Sequence, residues 1–226
     1  MPRFYPLAAL LALTGCYNMP GGDVTADSSG ANTVNGSIHV PAGTHSRSVG
    51  TVNGSIHIDD NAVVATADTV NGSVALGAHA SADAITTVNG SITLGEGAHV
   101  ARDVTTVNGS MTLRNGAEVG AAVANVNGHI ALTGAHVAGG LRTVDGDIDV
   151  LGGSHVEGGI LVKHGGNSFF SFSSHKPRIV IGPGAVVQGE LHFERPVDLF
   201  VSDQATVGPI SGANPVHYSG ATPPAG

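Results

Sequence analysis

The chain of 226 residues has no Trp, three Tyr and six Phe, too few aromatics to build the two girdles that frame an outer-membrane barrel. Its single cysteine, Cys16, excludes an internal disulfide framework. Nine Lys and Arg stand against 17 Asp and Glu, a formal charge of −8. Phosphate backbones are bound by clustered cations, so nucleic acid is not an expected partner. The apolar run from Phe4 to Leu13 is too short to span a bilayer in a mature protein. The sequence contains no Gly-x-Ser-x-Gly, no His-Glu-x-x-His and no phosphate loop, so no catalytic residue is proposed, no cofactor is implied and an enzyme is not expected.

What the chain does contain is repetition. Seven near-copies of Thr-Val-Asn-Gly-Ser-Ile begin at Thr33, Thr51, Thr69, Thr87, Thr106, Asn125 and Thr143, at spacings of 18, 18, 18, 19, 19 and 18 residues. That period is too short for a helical hairpin and suits one turn of a β-solenoid. Numbered from the Thr, apolar residues fill position two (Val34, Val52, Val70), position eight (Val40, Ile58, Leu76) and position fourteen (Val64, Val100, Val119). Columns six residues apart predict an all-β, single-stranded triangular solenoid of about nine coils of 18–19 residues, with these columns inward. Ala80, Ala98, Ala117 and Ala185 at the twelfth position predict a narrow tube with no room for a substrate.

The Asn-Gly pair reads as a corner at which Gly supplies a positive φ. Stacking places equal positions about 4.8 Å apart, so Asn35, Asn53, Asn71, Asn89, Asn108 and Asn127 are predicted to form an amide ladder, continued in altered form by Asp145 and Lys163.

The ends divide the chain further. Met1-Pro-Arg3, the apolar run and Leu13-Thr14-Gly15-Cys16 describe a secretory signal over 1–15. The last four residues resemble the lipobox of bacterial lipoproteins, which implies that Cys16 is acylated and becomes the new N-terminus. Tyr17 follows it where inner-membrane retention requires Asp, so outer-membrane sorting is implied for a Gram-negative source. Residues 16–32 read as the lipidated Cys and a flexible tether in which Gly30→Val is expected to be silent, 33–210 as the solenoid and 211–226 as a disordered tail. The irregular first coil, with Pro41, Ser46 and Arg47, reads as a polar cap that limits self-association.

One insertion, 165–177, interrupts the coils, and solenoid insertions project as loops. It carries Phe169, Phe170 and Phe172 beside Lys176 and Arg178; these five are the candidate partner-binding residues. Twelve His fall partly in columns, His99, Glu118, His136 and His155 in one and His39 and His57 in another. Ligands strung along a ladder do not converge, so no metal site is assigned and solvated side chains are expected. Asp145, Asp147 and Asp149 are likewise expected to be solvated.

The Thr-Val-Asn-Gly-Ser-Ile repeats resemble those of an adhesin family of unknown function, and Ile179–Leu191 is similar to coils of the bactofilins, the polymer-forming cytoskeletal family. The resemblance covers residues 33–210 and implies a right-handed solenoid with a structural or adhesive task. The expected function is therefore a non-catalytic, lipid-anchored envelope scaffold or contact module, with the membrane and an envelope protein or polymer as partners. Two alternatives stay open: a hexapeptide-repeat acyltransferase, from Leu94-Gly-Glu-Gly-Ala-His99, and ice binding through the Thr column.

Overall fold

Three short runs of extended backbone per turn, each long enough to point one or two apolar residues the same way, set the architecture. In the computed structural model, which describes residues 22–165 and 176–224, these runs stack in parallel into three ladders. The first face is an eleven-stranded sheet in simple chain order, from Val24–Thr25 and Ile38–Val40 up to Asp198–Ser202 and Val216–Tyr218. The second and third faces share one sheet, because the strands His45–Asn53, Val63–Asn71 and Ser81–Asn89 run round the corner between them unbroken. Above Ser81–Asn89 that corner opens. Ser81-Ala82 pairs with His99-Val100 and Ile85-Thr86 with Val104-Thr105, so three steps along one coil face four along the next. The extra residue of the 19-residue coil is therefore absorbed at this corner, which turns a continuous strand into two.

The core is a file of small and branched side chains. Ile38, Ile58, Leu94, Leu113, Ile130 and Ile148 from the first face are fully buried, as are Ala62, Ala80, Ala98, Val100 and Val137 from the second. Residues buried from such ladders each contribute roughly 1.5–3 kcal/mol where the side chain is Val, Leu or Ile.

Position two is not inward. Val34 is 39% exposed and Val52, Val70, Val88 and Val107 are half-buried. The neighbouring position one is inside: Thr33, Thr51, Thr69 and Thr106 are 0% exposed. Equal six-residue sides were the wrong assumption, since corners consume odd numbers of residues and shift the alternation. Thr is tolerated inside because its hydroxyl has an acceptor. Thr51, Thr69 and Thr87 Oγ1 each donate to the corner glycine carbonyl one coil below, Gly36, Gly54 and Gly72, at 3.0 Å, and a satisfied buried hydroxyl contributes about 1 kcal/mol where an unsatisfied one costs more.

The ladder also reaches beyond 33–210. Val24 pairs with Ile38, a turn bridges Asp27 to Gly30, and Ser46 Oγ donates to Asp27 O at 2.6 Å. Residues 22–32 thus form the first rung and its cover instead of a tether, and they, not Pro41, Ser46 and Arg47, close that end. At the other end Phe200 pairs with Val216 and Tyr218 is buried, so the part of the expected tail up to Tyr218 is an ordered last rung. Eleven rungs at the usual strand spacing give a rod on the order of 50 Å. No helix among the described residues is long and apolar enough to cross a membrane.

Candidate functional site

In most coils the corner between the third and first faces is a tight Asn-Gly step. Each amide of the ladder donates to the one beneath it: Asn53 Nδ2 to Asn35 Oδ1 at 2.9 Å, and so on through Asn127 to Asn108 at 2.8 Å. The expected glycine conformation is not found. In this column only Gly36 and Gly128 have positive φ. A Cβ at Gly54, Gly72, Gly90 or Gly109 would instead fall inside the van der Waals radius of the corner glycine carbonyl one coil below. Close stacking, not backbone handedness, selects glycine here. The left-handed corner lies between the first and second faces, where Gly43, Asn61, His79, Gly97 and Gly116 have φ between 56° and 72°.

The insertion replaces this Asn-Gly corner in one coil. The chain leaves the third face after Ile160–Val162 and rejoins the first at Arg178–Ile181. Phe169, Phe170 and Phe172 lie outside the described residues, as does Cys16. Lys176 and Arg178 are at the loop's base and both have partners within the chain. Lys176 Nζ pairs with Asp198, and the Arg178 guanidinium sits 4.9 Å over the Phe200 ring, a cation–π contact. The Arg178 backbone N–H donates to Asp147 Oδ1 at 2.8 Å.

Around that base the sequence reading missed a second apolar cluster, outside the tube. Val180, Phe200 and Tyr218 are buried together with Leu151 packed against them, and Tyr218 Oη donates to Ile181 O at 3.3 Å. Burial pushes the Tyr218 phenol above its ordinary value. The signal was available: Val180 and Phe200 align on the outward column of consecutive rungs, where earlier coils carry His, Ala, Thr or, just before, Asp149.

The acidic triplet is engaged. Asp145 is held by Arg195, which also donates to Val144 O at 3.0 Å, Asp147 takes the Arg178 amide, and Asp149 Oδ2 is 3.0 Å from His129 Nε2. Lys163 does not continue the Asn column. Thr143 pairs with Val162, which puts Lys163 level with Val144.

The histidine columns form as read, with His99 beside Glu118, Glu118 beside His136 and His136 beside His155. They are not simply solvated, since a carboxylate on the same or the next coil meets most of them. Asp59 contacts both His39 (2.8 Å) and His57 (3.1 Å), and His136 meets Glu157 at 2.9 Å. His129 is shifted by its partner: the hydrogen bond to the Asp149 carboxylate raises its pKa above 6.5, burial opposes, the charges of Asp149 and Asp147 add, and Arg178 subtracts. Among the described residues no group of three or more His, Cys, Asp or Glu is placed to hold a metal ion.

A shallow open groove of about 700 Å³ lies across the first-face corner, walled by His57, Asp60, Glu96, Arg114 and Asn115. The Thr column that ice binding would use is inside the tube. The coil containing Leu94 to His99 packs Leu94 and Ala98 inward and leaves His99 outside, against Glu118. The described residues therefore offer one distinctive feature, the insertion corner with its pinned charges and external aromatic cluster. Comparison with protein-family models, with curated proteins and with solved structures gives no match.

Proposed function

We propose that the protein is a non-catalytic, lipid-anchored component of the bacterial cell envelope, a stiff spacer that presents one contact loop. The observation that carries this reading is the position of the insertion. It leaves the stack between the eighth and ninth of eleven first-face rungs, roughly 30–40 Å from the N-terminal rung at normal strand spacing. An acylated Cys16, lying just before that first rung, tethers one end to the membrane, and in a Gram-negative source this is the outer membrane. The loop with Phe169, Phe170 and Phe172 is then held in the distal part of the rod, three rungs short of its end. Aromatic side chains on a loop dominate binding energy at such contacts, and the partner is an envelope protein or polymer.

The test is a variant with Phe169, Phe170 and Phe172 all changed to Ser, cross-linked and purified from detergent-solubilised envelopes beside wild type. The expected result is loss of a wild-type cross-linked species with a melting temperature within about 2 °C, since surface substitutions usually stay within about 0.5 kcal/mol. A large fall in melting temperature would mean that the aromatics cover the stack.

A further inference from the structure

Seven Asn-Gly pairs fall within the described residues, six in the ladder and one at Asn115-Gly116. Asn-Gly is the dipeptide most prone to lose its side-chain amide, because the glycine nitrogen reaches the preceding Asn Cγ without a side chain in the way. The reaction needs that nitrogen unengaged and the amide free to rotate toward it.

The stack engages the glycine nitrogen of every pair but one, and at Asn53, Asn71, Asn89 and Asn108 it also holds the amide on both sides. Gly36, Gly54, Gly72 and Gly90 N–H each donate to the Asn carbonyl of the next coil at 3.1 Å, Gly109 does so at 3.0 Å, and Gly116 N–H donates to Gly134 O at 2.8 Å. The Asn side chains between are held above and below by the ladder.

Asn127-Gly128 is different. The next coil carries Asp145-Gly146, and its Gly146 N–H turns in to Thr143 Oγ1 at 2.8 Å, a changed corner below which Gly128 N–H finds no hydrogen-bond partner among the described residues. Gly128 is exposed and has φ 120°. Asn127 Nδ2 still donates downward to Asn108, but above it stands a carboxylate, Asp145, which has no N–H to give and is held by Arg195. Asn127 is thus tied on one side only.

We infer that Asn127 is a site of spontaneous deamidation, and that the solenoid shields the other six pairs. The Gly128 nitrogen, losing its proton to base, forms a bond to Asn127 Cγ. The Cγ–Nδ2 bond breaks, ammonia leaves, and water opens the resulting succinimide at either carbonyl to give Asp or isoaspartate. The net change is one water consumed and one ammonia released, with no redox step. The product places a second carboxylate one rung from Asp145 and removes the donor that ties the top of the amide ladder to Asn108.

The experiment is incubation of the full chain in mildly alkaline buffer, with peptide mass mapping of all seven pairs over time, beside the same chain in denaturant. In the folded protein Asn127 is expected to convert first, about tenfold or more ahead of Asn71 and Asn89, whose reaction must wait for local opening. In denaturant the seven rates are expected to converge. Any other pair keeping pace with Asn127 in the folded protein, or an intact Asn127 after the denatured chain has converted, would overturn the inference.

Discussion

At the scale of single residues the inward position-one column explains both what the repeat keeps and where it fails. Asn125 replaces Thr there and is 5% exposed, with neither Nδ2 nor Oδ1 hydrogen-bonded. A buried unsatisfied polar group costs about 1–3 kcal/mol, whereas a Thr hydroxyl in this column finds a carbonyl, as Thr106 does with Gly90 O at 3.2 Å. Asn125→Thr is therefore expected to raise stability by about 1–2 kcal/mol in denaturant unfolding; an unchanged midpoint would count against the column's role. Glycines make the opposite point. Gly90→Val drives a Cβ into Gly72 O and is expected to cost more than about 3 kcal/mol. Gly30→Val, silent on the tether reading, meets Ser48 O at φ 98° and is expected to cost about 1–3 kcal/mol. A melting curve equal to wild type for Gly30→Val would restore the tether. The identities of these glycines were plain in the sequence, but their reason was not, because Asn-Gly signals a turn in isolation and a close backbone approach only once coils are stacked.

At the scale of elements, the coil and its ladders were legible because the period recurs without gaps over several turns, and stacking repeats one hydrogen-bond pattern at each rung. The Asn ladder and the His99–Glu118–His136–His155 column follow from register alone. Corner geometry was less legible, since one extra residue in a 19-residue coil changes the side-chain alternation and nothing local marks which corner takes it. The charge pairs were hidden for the same reason: His129 and Asp149 are 20 positions apart in sequence and 3.0 Å apart in space. The raised His129 value gives this pair a pH signature. Its contribution is complete below the unfolded His pKa, near 6.5, and is lost as pH rises through the higher folded value. The melting temperature of wild type is expected to fall toward that of His129→Gln across that window, and a constant difference between the two would show that the imidazole is not the titrating group.

At the scale of the whole molecule, the stack is an open parallel assembly whose two ends present unpaired strand edges, the arrangement that invites end-to-end growth. Here the lower end is covered by the Asp27–Gly30 turn, with Gly22 N–H donating to Asn35 O at 2.8 Å. The upper end closes in two-residue strands, Thr206–Val207 and Ile210–Ser211, and Val207, Ile210 and Ala213 pack against the end of the core. Sedimentation of the chain from Asn18 onward is expected to give monomers or small oligomers, and filaments under electron microscopy would contradict this closure. The proposed function requires the rod to be fixed at a surface, so it turns on anchoring. A single acyl chain binds a bilayer only marginally, whereas the several chains of a bacterial lipoprotein hold firmly. The most direct measurement is the intact mass and membrane fractionation of the mature protein beside Cys16→Ser. The expected result is a wild-type N-terminus at an acylated Cys16, in the membrane fraction, and a variant that is released or retains its leader. Wild type that is soluble, or that is processed elsewhere with Cys16 unmodified, would contradict it.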